Sequence, residues 1–163
     1  MSLGSIRNIG AERVFLTSTT HGAEMSSLGA FIKTIEILKR DNVIQHIWDY
    51  GSTLIKEANS ISKKHGLSKN VIFNGLGCSP NYLIMDNQGN NSLSLRTLFL
   101  QEMMREKILI PYIALSFSHG DSEMERTLFA LDKSFGVIKK AIDGQIDDYL
   151  NSEVVKPVFR KYN

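Results

Sequence analysis

The chain has 163 residues, enough for about one domain with its own core, and a formal net charge of +2 from 19 basic and 17 acidic residues. That balance supplies no cationic field for nucleic acid, and the basic clusters Lys63–His65 and Arg160–Lys161 are too small to form a binding patch. No apolar run approaches the roughly 20 residues that a membrane-spanning helix needs. The single cysteine, Cys78, excludes an internal disulfide and is typical of a protein in the reducing cytoplasm.

The first predicted element is a short strand at Val14–Thr17, which leads into a loop rich in hydroxyl groups. Ser18, Thr19 and Thr20 lie just before the predicted start of a helix near Glu24. Free backbone N–H groups at a helix N-terminus, together with short hydroxyls, can bind a phosphate group. The same residue types more often cap a helix or finish a turn. The residues alone therefore leave an anion site and a simple cap as alternatives.

Two long amphipathic helices are predicted next, because apolar residues recur every three or four positions. The first runs from about Glu24 to Arg40 and the second from about Asn42 or Val43 to His65, ending at Gly66, which fits the position after a helix C-terminus. The apolar stripe of the first helix comprises Met25, Leu28, Phe31 or Ile32, Ile35 and Leu38. The residues predicted to line the buried face of the second helix are Ile44, Ile47, Trp48, Leu54, Ile55, Ala58 and Ile61.

The middle of the chain alternates short strands and a helix. Val71–Asn74 and Tyr82–Met85 are predicted as a strand pair joined by the loop Gly75–Asn81. Cys78 in this loop is interpreted as a small, half-buried residue rather than a redox centre. A third helix is expected over about Ser94 to Glu106, and a third strand over Tyr112–Phe117.

The last predicted helix has the tightest apolar periodicity of the chain. Its stripe favours a core face over a cofactor box or a dimer zipper, because each surface helix needs one such face. Its start is predicted at Asp121 or Ser122, and Ser122 with Glu125 fits a capping box. The stripe comprises Met124, Leu128, Leu131, Phe135, Ile138 and Ile142. Together the elements predict an α+β fold in which a small, mainly antiparallel sheet is covered on one side by long helices.

The histidines do not suggest a metal site. His21 lies in the hydroxyl-rich loop, His46 and His65 are predicted to be exposed on the second helix, and His119 precedes the last helix beside Asp121. No pair has the spacing of metal ligands, and one cysteine cannot complete a set. His119 with Asp121 is interpreted as a capping turn rather than a proton relay. A Ser-His-Asp hydrolase site in this region is rejected, because residues so close in sequence rarely reach the triad geometry.

Four stretches in order resemble the class III (fold-type I) pyridoxal-phosphate-dependent aminotransferases. They are the loop Val14–Glu24, the Leu-Phe-x-Gln-Glu-Met core within Leu98–Met104, the stretch Ile108–Ile110, and Ser116–Asp121 followed by Glu125–Leu128, which together resemble one Ser-x-x-His…Thr-Leu pattern. The branch of the family that the sequence resembles most is that of the glutamate-1-semialdehyde 2,1-aminomutase-like enzymes. The resemblance implies a C-terminal segment only, with the fold of the small domain and with pyridoxal 5'-phosphate as cofactor.

The resemblance also implies a role for the hydroxyl-rich loop. In the family, a threonine of this loop binds the phosphate of the cofactor held by the neighbouring subunit. Alignment on Gly22 carries that role to Thr19, with Ser18 and Thr20 beside it. Because the phosphate site is shared between subunits, the full-length enzyme is expected to be a homodimer that acts on small-molecule amino donors and acceptors.

The family's large domain, with its Schiff-base lysine, is expected upstream of this segment. Residues 1–22 are interpreted as a vector leader, suggested by the opening Met-Ser-Leu, and the end of that domain, and residues 23–163 as the small domain. Lys33, Lys39 and Lys56 are predicted surface lysines, whereas a Schiff-base lysine needs desolvation and a positioned cofactor. The segment is therefore expected to be inactive alone, either as a piece of a longer protein or as an encoded fragment.

The substrate is less well specified. Class III enzymes often place a substrate-binding arginine in the loop that here is Gly75–Asn81, and this loop has none, while Arg96 and Arg105 are predicted to face solvent. Because a guanidinium is the usual partner of a carboxylate, an amino-sugar or another carboxylate-free substrate remains open. So does an arginine from the upstream half. A stand-alone binding or regulatory domain with the same fold is the alternative function.

Overall fold

The computed structural model of the chain describes residues 24–156, which fall into two compact units divided after Asn42. The first unit contains one described helix, α1 (Met25–Arg40), close to its predicted bounds. No residue of α1 is buried, and its apolar stripe is open at Met25 and Phe31, which are 81% and 63% exposed. The stripe is therefore present as an unburied apolar face.

The second unit confirms the α+β prediction, with three helices and one antiparallel hairpin. In chain order its elements are α2 (Val43–Lys64), β1 (Val71–Leu76), β2 (Ser79–Ile84), α3 (Leu93–Arg105), α4 (Asp121–Asp143) and a 3₁₀ turn at Ile146–Tyr149. α2 and α4 pack together, α3 packs on α4, and the hairpin packs mainly against α2.

Four aromatic rings form the centre of the core of this unit. Phe73 of β1 and Tyr82 of β2 lie opposite each other in the hairpin, and they contact Phe135 of α4 and Phe99 of α3 with centroid separations between 5.0 and 6.4 Å. Burying one such side chain contributes about 1.5–3 kcal/mol. The predicted stripe of α4 is confirmed as a core face, since all its members lie in or against this cluster.

The buried face of α2 differs from the prediction. Ile44 and Trp48 were expected inside but are 60% and 39% exposed, whereas Gly51 and Ser62 are buried. The buried stripe runs along Val43, Gly51, Leu54, Ala58 and Ser62. The prediction is confirmed at Leu54 and Ala58, but it missed Gly51 and Ser62, because it followed apolar residues and these two positions carry a glycine and a serine.

The hairpin is longer than predicted and its loop is shorter. Gly75 pairs with Pro80 and Leu76 with Ser79, so only Gly77 and Cys78 form the turn. Gly75 adopts φ of +98°, a left-handed conformation that favours glycine, and a β-carbon there would lie 2.7 Å from the carbonyl oxygen of Ser79. The glycine therefore allows the strand to continue where the sequence suggested a loop.

The outer edge of β1 is closed by side chains of α2. The Asn59 amide donates to the carbonyl of Phe73 at 2.8 Å and accepts from the Phe73 N–H at 2.9 Å, as a neighbouring strand would. The Ser62 hydroxyl donates to the carbonyl of Val71 at 2.7 Å. These bonds satisfy buried backbone groups and leave less of this edge for a further strand.

The predicted third strand, Tyr112–Phe117, is wrong as a strand. The segment has the alternating burial of one, with Ile113 and Leu115 packed on the core and Tyr112 and Ala114 exposed. Within residues 24–156 it joins no strand, and the described sheet has two strands. The alternating burial is therefore that of a strand, but a strand also needs a ladder partner.

The ends of two helices test the predicted caps. Gly66 follows α2 with φ of +71°, as expected for a residue after a helix C-terminus. The predicted Ser122–Glu125 capping box is wrong, because the helix cap is Gly120, two residues before Ser122. The first turn of α4 is closed by Glu123, whose carboxylate accepts from the Gly120 N–H at 2.9 Å.

α2 and the hairpin turn approach each other at two glycines. A β-carbon built on Gly51 would overlap the carbonyl oxygen of Gly77 and would lie 2.7 Å from Leu115 Cδ1. A β-carbon on Gly77 would overlap the Ser52 hydroxyl and lie 3.2 Å from the ring of Trp48. Only glycine at both positions allows the two backbones to come this close.

A carboxylate on α4 connects that helix to the end of α2. Asp132 accepts from His65 Nε2 at 2.8 Å and from Lys64 Nζ at 3.0 Å. Hydrogen bonds from His65 and then Lys64 hold the pKa of Asp132 below its ordinary value. His65 is therefore half-buried and paired, which corrects the prediction that it is exposed.

Two buried serines provide a matched test of hydrogen bonding in the core. Ser62 and Ser134 are each 1% exposed, but within the described residues only Ser134 Oγ lacks a partner. We expect Ser62→Ala to lower the free energy of unfolding by about 1–2 kcal/mol, because it leaves the Val71 carbonyl unpaired. Ser134→Ala should be neutral or stabilising by about 0.5 kcal/mol. Urea denaturation measures both, and equal losses would contradict these bonding assignments.

The Asp132 contacts predict a pH dependence of stability. Because the folded-state pKa is lowered, the contribution of Asp132 is present above its ordinary pKa and is lost as pH falls through the folded-state value. We expect Asp132→Asn to lower the free energy of unfolding at pH 7 by about 0.5 kcal/mol, with the difference from the unchanged chain vanishing below about pH 3. Asp143→Asn on the same helix, at an exposed pair with Lys139, is the control. A loss for Asp132→Asn that is constant with pH would contradict the assignment.

Candidate functional site

The residues predicted to bind the cofactor phosphate, Ser18, Thr19 and Thr20, lie outside the described residues, as does His21. Their roles stay predictions. The described part of the chain does place together several other residues that the sequence singled out. They lie where the N-terminal half of α2 meets the segment before α4.

Four rings form this surface, which we call the His119 face: His46, Tyr50, Phe117 and His119. His119 stacks on Tyr50 with centroids 5.7 Å apart, and His46 meets the edge of Phe117 at 5.2 Å. α2 brings His46 and Tyr50 to one side because they are four residues apart on a helix. The turn before α4 supplies the other two rings. His46, Tyr50 and His119 are half-buried, and Phe117 is 46% exposed.

The tautomer of His119 follows from its hydrogen bond to the backbone. Its Nδ1 accepts from the Ser116 N–H at 2.9 Å, and the Ser116 hydroxyl lies 3.4 Å from the same atom. We assign the neutral ring with its proton on Nε2, since Nδ1 is an acceptor here. Within residues 24–156 that Nε2–H has no hydrogen-bond partner, and the ring makes no hydrogen bond to Asp121. The predicted turn is confirmed, although Glu123 rather than Asp121 closes the helix.

His46 anchors the same turn from α2. Its Nε2 lies 2.8 Å from the carbonyl oxygen of His119, which can only accept, so Nε2 carries a proton. This contact corrects the prediction that His46 is exposed. Because the bond crosses 73 positions of sequence, spacing alone could not have revealed it.

Tyr50 is the group of this face whose ionisation the surroundings change. Burial, and then the negative charge of Glu123, raise the pKa of the Tyr50 hydroxyl above its ordinary value. The phenol therefore stays protonated at neutral pH and is available as a hydrogen-bond donor.

The hairpin turn, predicted as the substrate-contacting loop, lies against α2 near Trp48. Cys78 there is exposed, which corrects the half-buried prediction. Arg96 is only partly exposed, and its guanidinium donates to the Pro111 carbonyl at 3.1 Å, whereas Arg105 is exposed beside Glu102. Neither arginine is in this turn.

Two kinds of feature are absent from the described residues, and three lysines there are exposed. No group of histidine, cysteine and acidic side chains within residues 24–156 could hold a metal ion. No helix in that range is long and apolar enough to cross a membrane. Lys33, Lys39 and Lys56 are exposed, as predicted for surface lysines.

Comparisons with known proteins agree with these features. No family model matches the chain. The chain is 27% identical over 135 residues to the 3-aminobutyryl-CoA aminotransferase of Cloacimonas acidaminovorans (strain Evry), a match that covers 81% of this chain and 32% of that protein. Its fold matches the PLP internal aldimine structure of the FumI protein of Sphingopyxis sp. MTA144 with a TM-score of 0.66 and 18% identity. That match covers 80% of this chain and 31% of FumI.

The chain thus spans about a third of the length of each relative. A small α+β domain in the structure, the ordered motifs of the sequence and the match to an aminotransferase agree with one another. The chain is therefore similar to part of an aminotransferase, and its fold matches part of a structure that holds PLP as an internal aldimine.

Proposed function

We propose that the chain is the C-terminal small domain of a class III aminotransferase, in the glutamate-1-semialdehyde aminomutase-like branch, which works in the cytoplasm. The observation that carries the proposal is the match to an aminotransferase over 135 residues. The branch rests on the Gly-Ala-Glu sequence at residues 22–24, which resembles the Gly-Glu version of the loop in those enzymes.

Pyridoxal phosphate, when bound, carries the amino group between donor and acceptor. The proposed role of this chain is to hold the cofactor phosphate and to enclose the cofactor. Thr19 would hold the phosphate of the cofactor in the neighbouring subunit by a hydrogen bond from its hydroxyl, with Ser18 and Thr20 beside it. Short hydroxyls fit a phosphate because they donate at close range without adding a competing charge. This shared contact makes the full enzyme a homodimer.

The His119 face is proposed as one wall of the substrate channel. It presents neutral hydrogen-bond donors at His119 and Tyr50. Neither this face nor the hairpin turn contains an arginine. Because a carboxylate is best held by a guanidinium, this wall suits an amine that has no carboxylate at the contact point. The reaction class, transfer or aminomutase exchange, depends on the rest of the active site.

The segment alone is proposed to lack transaminase activity. A Schiff-base lysine requires desolvation, and the three lysines weighed for that role are solvent-exposed. The alternative, a stand-alone binding or regulatory domain, is favoured by one observation: Val43–Asn163 is compact and has its own core. Reading the coding sequence upstream of Met1 distinguishes the two, since the enzyme requires a frame encoding a lysine-bearing large domain.

A chimera tests the role of Thr19 in the proposed enzyme. It joins the upstream two thirds of the Cloacimonas aminotransferase to this chain. We expect Thr19→Val to weaken pyridoxal phosphate binding at least about tenfold, because a hydrogen bond to a charged group contributes about 1.5–3 kcal/mol. Absorbance titration of the cofactor measures the dissociation constant.

Thr17→Val is the matched control, as the same change in the same region at a residue with no proposed contact. Equal affinities of the two variants would overturn the role of Thr19. An unsubstituted chimera that folds by circular dichroism but binds no cofactor would overturn the proposed function itself.

A further inference from the structure

A small cavity lies behind the His119 face, between α2, the segment before α4, and α4. Its volume is about 110 Å³. Its apolar lining includes Leu54, Ile110 and Leu115, and its polar side chains are Tyr50, His119 and Thr127. Tyr112, also in the lining, is 71% exposed, so the cavity is reached from solvent. An apolar pocket with a few polar groups in its wall is the usual form of a small-molecule site.

The polar groups in this wall have unused hydrogen-bonding capacity. The His119 Nε2–H, the Tyr50 hydroxyl and the Thr127 hydroxyl have no hydrogen-bond partner among residues 24–156. The backbone N–H groups of Ile113 and Leu115, in the segment before α4, also have none in that range. Groups that donate and lie in a partly enclosed wall need an acceptor from outside, either water or a ligand.

The charges around the cavity favour a neutral acceptor over an anion. No lysine or arginine lines it. Glu123 closes the first turn of α4 beside this wall, where it accepts from the Gly120 N–H at 2.9 Å, and its negative charge acts on the Tyr50 hydroxyl. A carboxylate bound here would be repelled by Glu123 and would have no cation to offset the cost of its desolvation.

We propose that this cavity binds a neutral carbonyl group, as in an amide, ester or thioester, whose oxygen accepts hydrogen bonds from Tyr50 and His119. Thr127 and the backbone of Ile113 and Leu115 supply further donors. The volume limits the bound part of the ligand to about five non-hydrogen atoms, by comparison with cavities that hold benzene. The proposal depends on described residues alone and needs neither the cofactor nor a large domain.

Acetamide and acetate form a matched pair of probes, since they have nearly the same shape and differ in charge. We titrate each into the 163-residue chain and follow the His119 ring and Tyr50 by nuclear magnetic resonance. Acetamide should give saturable shifts with a dissociation constant of about 1–100 mM, as expected for so few atoms, and acetate should bind at least tenfold more weakly. Equal affinities, or no saturation by acetamide up to about 500 mM, would overturn the proposal.

Tyr50→Phe removes one donor and keeps the ring that stacks on His119, so it should weaken acetamide at least about fivefold. Tyr149→Phe is the matched control, because Tyr149 lies outside this cavity. Thr127→Val tests the wall from α4 and should also weaken acetamide, which keeps the test decisive if Tyr50→Phe disturbs the fold. Affinities unchanged in the folded cavity variants would overturn the proposal.

Discussion

The closest backbone approach between α2 and the hairpin turn positions the candidate site. Gly51 of α2 has no side chain, and the carbonyl of Gly77 occupies the space where one would be. Leu115 also packs against Gly51, so the segment before α4 contacts α2 at the same point. Three pieces of chain that are distant in sequence are thereby held together. A side chain at position 51 would push them apart.

The polar contacts of the His119 face build on that packing. Gly51 is adjacent to Tyr50 and five positions after His46 on the same helix, so the closeness of the helix to the hairpin turn sets where both rings lie. His46 then holds the carbonyl of His119, and the Ser116 N–H holds its ring. The His119 backbone is therefore held by the His46 side chain, and the His119 ring is held by a backbone N–H. The His119 Nε2 and the Tyr50 hydroxyl are left as donors, which is the basis of the proposed wall and of the carbonyl site.

The sequence predicted what depends on local periodicity and family motifs. The stripe of α4, the end of α2 at Gly66 and the α+β class are confirmed, because helical spacing and glycine conformation are properties of neighbouring residues. The sequence-based predictions were wrong where burial or pairing depends on residues that are distant in sequence. Ser62 and Gly51 are buried for reasons that lie in β1 and the hairpin turn. Tyr112–Phe117 has the alternating burial of a strand but lacks a ladder partner in the described chain. His46 and His65 are paired across more than sixty positions.

The sequence likewise predicted only part of the candidate site. The motif around His119 was found in the sequence, but the role assigned to it was a turn. Its stacking on Tyr50 had no sequence signal, because nothing in the spacing of positions 50 and 119 relates them. The roles of Ser18, Thr19 and Thr20 rest on resemblance and stay predictions.

The most direct test of the central claim is the stability of Gly51→Ala measured by urea denaturation beside Gly136→Ala. Both are glycines inside long helices, but at Gly136 the nearest atom to an added β-carbon is 3.5 Å away, an ordinary contact. We expect Gly51→Ala to lower the free energy of unfolding by about 3 kcal/mol, because backbone atoms cannot move aside as side chains do. Gly136→Ala should be neutral or stabilising by up to about 1 kcal/mol, as usual for glycine in a helix. Equal stabilities of the two variants would contradict the account.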